Sequence, residues 1–155
     1  MSAAPKNSKT LPRLKVAAHL EDADFVAGKK PFPKPKNILF RAVSSFIKPT
    51  PVEVDVVLKD GDRIGNLTVI SVPGHSPGSI ALFDEQRKVL FAGDTLRFDG
   101  NKVTGAPKQF TWDTAKEKES IEKMSKLDFD IMLPGHGEVL KANASKAVKE
   151  FLESN

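Results

Sequence analysis

Between Val52 and Ala92 the apolar residues come in four short runs: Val52 to Leu58, Leu67 to Val72, Ser79 to Phe83 and Val89 to Ala92. Runs of this length, rich in Val, Ile and Phe and bounded by Gly, Pro and Asp, are too short for helices and read as strands. Lys59-Asp60-Gly61-Asp62 supplies one turn and the polar stretch from Asp84 to Lys88 another, of hairpin length. A sheet therefore occupies the middle of the chain, and the rest must cover it.

On the N-terminal side, Leu14 to His19 predicts a buried strand and Glu21 to Ala27 a short helix with acids in its first turn, ended by Gly28. The stretch Lys29-Lys30-Pro31-Phe32-Pro33-Lys34-Pro35-Lys36 is broken by three prolines and predicts an extended loop. Ile38, Leu39, Phe40, Val43, Phe46 and Ile47 then have the spacing of one apolar helical stripe, closed by Pro49 and Pro51. On the C-terminal side, Arg97 to Thr111 contains Gly and reads as an irregular functional loop. Thr114-x-x-Glu117 reads as a capping box ahead of the stripe Ile121, Met124, Leu127. Phe129 to Leu133 predicts a last strand, and Ala142 to Leu152 a closing helix with Ala147, Val148, Phe151 and Leu152 inward. The expectation is an α+β chain, one domain over residues 1–155, its antiparallel or mixed strands covered by helices.

Composition narrows the chemistry. Among the 155 residues there is no Cys, which excludes a thiolate nucleophile, a disulfide framework and a Cys-ligated zinc or iron–sulfur centre. The net charge of +4 comes mainly from Lys interleaved with acids, which predicts a solvated mixed surface and no nucleic-acid footprint. Without an apolar leader or a run of about 18 apolar residues, the sequence predicts no membrane span and a cytoplasmic protein.

The three histidines are His19, His75 and His136, and the last two recur in one kind of setting. His75 lies in Val72-Pro73-Gly74-His75-Ser76-Pro77-Gly78-Ser79 and His136 in Leu133-Pro134-Gly135-His136-Gly137, each directly after a predicted strand. Gly and Pro hold a tight turn there, from which an imidazole can enter a shared cleft. Asp94, in Phe91-Ala92-Gly93-Asp94-Thr95-Leu96, ends an apolar strand, where a carboxylate is expected to bear a desolvation cost that a metal would offset. Two imidazoles and one carboxylate suit zinc, iron or manganese. Each residue alone also has a plain structural reading: a turn histidine, or an aspartate capping a turn. His19 reads as structural, with Glu21 and Asp22 beside it as partners, and Ser76 as a loop hydrogen-bonding residue, not a nucleophile.

Taken together and in this order, the Pro-Gly-His-Ser-Pro-Gly-Ser, Phe-Ala-Gly-Asp-Thr-Leu and Leu-Pro-Gly-His-Gly segments resemble the downstream metal motifs of the metallo-β-lactamase fold superfamily, in its glyoxalase II and lactonase-like branch. The resemblance implies an αββα sandwich. It also implies that His75 binds one of two zinc ions, His136 the other, and that Asp94 bridges both as the catalytic carboxylate; iron or manganese are alternatives. The implied reaction is hydrolysis of an ester, thioester or lactone in a small-molecule substrate by metal-activated water. Gly28 to Pro51 and Arg97 to Trp112 are the expected specificity loops, with Phe98, Phe110 and Trp112 as pocket candidates.

The superfamily's His-x-His-x-Asp-His motif occurs nowhere in these residues. The chain therefore resembles the C-terminal half to two-thirds of the fold, mainly the C-terminal sheet with its helices, as if N-terminally truncated. Two consequences are expected: too few ligands for tight binding of two ions, and an apolar sheet face left without its partner. A complementary N-terminal half or a second copy of the chain would cover that face. The alternative to a hydrolase is a non-catalytic, degenerate domain that works through such association.

Overall fold

The computed structural model describes residues 14–31 and 50–154. Most of the extended loop and the apolar stripe from Ile38 to Ile47 lie outside the described residues. Among the described residues, three sheets and three α-helices form an α+β fold. The first sheet is a parallel pair of β1 (Ala17–His19) and β2 (Val56–Leu58), with α1 (Leu20–Val26) following β1 directly. Both strands are shorter than the apolar runs that predicted them.

The main sheet has five strands in the order β3 (Arg63–Ile64), β4 (Leu67–Ser71), β5 (Ile80–Asp84), β6 (Val89–Gly93) and β9 (Ile131–Pro134). Neighbours are antiparallel except β6 and β9, so the sheet is mixed. The connection from β6 to β9 carries β7 (Leu96–Phe98), β8 (Val103–Gly105), a turn of 3₁₀ helix at Lys108–Phe110 and α2 (Thr114–Ser125); α3 (Ala144–Glu153) follows β9. Arg97 to Thr111 is thus not the irregular loop the sequence suggested. β7 and β8 pair as an antiparallel hairpin, closed where the Asp99 carboxylate accepts from the Asn101 and Lys102 amides.

The two faces of the main sheet differ. Phe83, Leu90 and Met132 share one face through the strand register, and it packs against Ile121 and Met124 of α2 and Ala144 and Val148 of α3. Leu90, Met124, Met132, Val148 and Phe129, the residue just before Asp130 and β9, are fully buried there. The opposite face carries Val69, Leu82, Phe91 and Leu133 in register. Val69 is buried, but Leu82 and Leu133 are only partly covered and Phe91 is 38% exposed. This is the less covered of the sheet's two faces.

α2 is capped differently from the expectation. Asp113, not Thr114, is the N-cap, its carboxylate accepting from the Ala115 and Lys116 amides. Glu117 turns inward instead of reaching back to the cap. Among the described residues no helix is long and apolar enough to cross a membrane.

Candidate functional site

The C-terminal ends of β4, β6 and β9 bring the three predicted residues together. His75 stands in the loop after β4, Asp94 directly after β6, and His136 directly after β9 with Gly135 between. Between Phe91 and Gly93 the register of β6 against β9 shifts by one residue, and Gly93 is left-handed at φ 56°. A bulge of this kind re-aims the next side chain, here Asp94. The Gly before the Asp was the only trace of it in the sequence.

His136 is placed by backbone. The Gly135 amide donates to the Gly93 carbonyl at 2.7 Å and the Glu138 amide to the Phe98 carbonyl at 2.7 Å, so the loop after β9 is held by the strand that carries Asp94 and by β7. A Cβ on Gly135 would stand 2.6 Å from Asp94 Oδ1, and one on Gly137, at φ 98°, would collide with the Phe98 carbonyl oxygen. Both glycines are there for close approach.

His75 is placed from two sides. On one, the Trp112 amide donates to the His75 carbonyl, the Asp113 amide to that of Gly74, and Ser120 Oγ to that of Pro73. On the other, Asp22 of α1 accepts from Ser76 Oγ and from the Gly78 amide. Ser76 is thus a loop hydrogen-bonding residue, as expected. His19 stays outside the cluster: its Nδ1 accepts from the Glu21 backbone amide, which makes it the N-cap of α1. Asp22, expected beside it as a partner, is engaged with the His75 loop instead.

His75 Nε2 lies 3.7 Å from Asp94 Oδ2 and His136 Nε2 lies 3.5 Å from Asp94 Oδ1. Each imidazole therefore faces its own carboxylate oxygen. The separations are too long for good N–H···O hydrogen bonds. They are close to the edge, about 3.4 Å, spanned by two donors each ~2.1 Å from one tetrahedral ion. The three side chains are a partial donor set for divalent ions, one imidazole on each side of the Asp94 carboxylate. Among the described residues, no group of three or more His, Asp or Glu side chains closes around one ion, so each position has two protein donors where zinc takes three or four. One expectation is corrected: the Asp94 side chain is 40% exposed, so the desolvation cost inferred from its apolar strand is not imposed.

Behind the His75 loop sits a carboxylate that the sequence reading had assigned to capping. Glu117 is buried, its Oε1 accepting from Thr111 Oγ1 at 3.4 Å, and a Cβ on Gly74 would stand 2.5 Å from the Glu117 Cα. Burial pushes its carboxyl above the ordinary 4.5, against the opposing pull of the Ala106 amide, the Thr111 hydroxyl and the Arg97 charge. The folded chain thus holds this proton to higher pH than the unfolded chain. The stability it contributes is full below about pH 4.5 and is lost as pH rises through the raised value. Glu117→Gln is therefore expected to melt higher than the natural chain at pH 7, with the gain shrinking toward pH 4; thermal melts across that range measure it.

Of the aromatic pocket candidates, Phe98 lines a groove of about 430 Å³ with Val103, Ala147 and Phe151. Phe110 and Trp112 are not among its walls; Phe110 is 48% exposed and Trp112 lies under the Lys116 ammonium, 5.1 Å from the ring centre.

A mixed sheet with three strand-end ligand candidates defines the class, and the sequence agrees: residues 9–136 match the metallo-beta-lactamase superfamily, and the chain belongs to it. It is 39% identical over 90 residues to the acyl-coenzyme A thioesterase MBLAC2 of Homo sapiens, covering 55% of this chain and 32% of that protein. It is 32% identical over 99 residues to the hydroxyacylglutathione hydrolase of Methylococcus capsulatus, covering 61% and 37%. Among solved structures, a di-iron-bound form of TTHA1623 matches with a TM-score of 0.61 and 26% identity, over 92% of this chain and 63% of that one. A metallo-beta-lactamase family protein of Thermus thermophilus shares the fold at a TM-score of 0.61 and 20% identity, over 90% and 52%. The match spans about a third of the length of each of these two curated relatives. Its family is one of hydrolases whose members hold metal ions, iron in the case just named.

Proposed function

We propose that this chain is the part of a metal-dependent hydrolase that carries His75, Asp94 and His136, and that the substrate is an ester, lactone or, foremost, a thioester. The observation that carries the reading is the carboxylate of Asp94 lying between two imidazoles, each turned to a different oxygen. When bound, two zinc ions, or iron or manganese, would polarise the scissile carbonyl and make water a nucleophile near neutral pH. The protein's own part is to fix the geometry. His75 and Asp94 would hold one ion and His136 and Asp94 the other, with Asp94 shared between them. Gly135 leaves room for that carboxylate. The relatives support a thioester: an acyl-coenzyme A thioesterase and a hydroxyacylglutathione hydrolase both carry thioester chemistry in their names. The remaining ligands belong to polypeptide outside residues 1–155, which then form one partial domain.

The test combines metal analysis with hydrolysis of an acyl-coenzyme A and of an S-acylglutathione, in the presence of zinc, iron or manganese. Two ions per active unit, and loss of turnover in His75→Ala and Asp94→Ala, are expected. Substoichiometric metal together with unchanged behaviour of both variants overturns the reading.

A second reading is favoured by the incompletely covered face of the main sheet. There the chain is a non-catalytic module, and two copies associate through Leu82, Phe91 and Leu133. Sedimentation of a monodisperse folded monomer would overturn it.

A further inference from the structure

We propose that Asp22 is a positioning residue for His75, acting through Ser76 and Gly78. Asp22 sits in the first turn of α1, more than fifty residues before the loop it holds. Its Oδ2 accepts from Ser76 Oγ at 2.5 Å and its Oδ1 from the Gly78 amide at 2.8 Å, so both carboxylate oxygens are committed to the loop that carries His75. The contact is close-packed as well as polar: a Cβ on Gly78 would stand 2.6 Å from the Asp22 Cγ and 2.7 Å from its backbone nitrogen. Ser79 completes the clamp, its Oγ accepting from the Ser76 amide at 2.9 Å and lying 2.9 Å from Ser76 Oγ.

The clamp matters because the imidazole has no second grip. A ligating histidine commonly donates its other ring N–H to a carboxylate, carbonyl or water, which fixes the ring. His75 Nδ1 is buried and has no hydrogen-bond partner among the described residues. The direction of its Nε2 is therefore inherited from the backbone of residues 73–79. That backbone is pinned by α2 and its N-terminal flank on one side and by Asp22 on the other. His136 differs, since its loop rests on Gly93 and Phe98, whereas the hydrogen bonds of the Asp22 carboxylate go to the His75 loop. Loss of the clamp should thus separate the two imidazoles.

The experiment records imidazole ¹⁵N–¹H correlation spectra of the full 155-residue chain without metal, followed by zinc titration. The variants are Asp22→Ala, Asp22→Asn and, as a control on the same helix, Asp24→Ala, whose carboxylate pairs with Lys30 at 2.8 Å. Asp22→Ala is expected to shift or broaden the His75 ring signals, to leave those of His136 in place, and to weaken zinc binding about tenfold. Asp22→Asn is expected to rescue most of this, because the amide oxygen can accept from Gly78 while its NH₂ donates to Ser76 Oγ. Asp24→Ala should match the natural chain. His75 signals unmoved in Asp22→Ala, or His75 and His136 moved alike, overturn the proposal. The zinc arm rests on the metal-holding role proposed above and the imidazole arm does not. A His75 shift with zinc affinity unchanged in every variant upholds the clamp and overturns that role. If Asp22→Ala does not fold, Ser76→Ala removes one of the two bonds and is read in the same way.

Discussion

Asp94→Asn is expected to abolish loading of both proposed metal positions while leaving the fold intact. The substitution keeps the side chain's shape but replaces two equivalent anionic oxygens by one neutral oxygen and one NH₂, which has no lone pair to offer a cation. Since His75 and His136 face different oxygens of Asp94, one change removes a donor from one position and the negative charge from both. Replacing a group that merely orients a ligand costs 10–100-fold in affinity, so loss of the shared ligand should cost at least ~100-fold. His75→Ala and His136→Ala each delete a donor from a single position and should each cost one ion. Titration with zinc, with bound metal counted after dialysis, distinguishes these patterns. The thermal melt should barely move, because the Asp94 side chain is 40% exposed and packs no core. Unchanged metal content in Asp94→Asn would remove the basis for a binuclear site in this chain.

The sequence shows why the candidate site was legible and where legibility stopped. His75 and His136 stand out because Pro-Gly-His breaks an apolar run at a strand end, a pattern that survives without any knowledge of contacts. Asp94 was found by the same logic, yet the reason given for it, desolvation, fails against its exposure; what aims it is the bulge after Phe91, which no period-two pattern encodes. The hairpin of β7 and β8 was missed because its strands are three residues each, although Asp99-Gly100-Asn101 carried the turn signal. The capping-box reading of Thr114 and Glu117 failed because Asp113, one residue earlier, is the better acceptor and Glu117 gains a buried partner in Thr111. Asp22 could not have been read at all. Its role depends on α1 packing against a loop more than fifty residues away, and nothing local distinguishes it from Glu21 or Asp24.

Phe129→Ala and Phe91→Ala are expected to behave as opposites, because one lies in the core between the main sheet and its helices and the other on the sheet's less covered face. Phe129 is fully buried in the core that α2 and α3 cover. Its truncation leaves a cavity in a close-packed interior and costs ~3–5 kcal/mol, a large part of the ~5–15 kcal/mol that holds a domain together. At ~2–4 °C per kcal/mol for a chain near this size, the melt should fall by roughly 6–20 °C, or disappear into an unfolded baseline. Phe91 is just as apolar but 38% exposed, on the face shared with Leu82 and Leu133. In a lone chain its removal costs about 1 kcal/mol or less, since much of the ring is already in water. If two copies cover that face, Phe91 becomes an interface anchor, and Phe91→Ala must then lower the melt in a concentration-dependent way and shift sedimentation toward monomer. The difference between the two variants, measured at two protein concentrations, therefore reports whether the second face of the sheet has found a partner in its own copy. A concentration-independent melt with Phe91→Ala near the natural value excludes a second copy of this chain as the cover of that face.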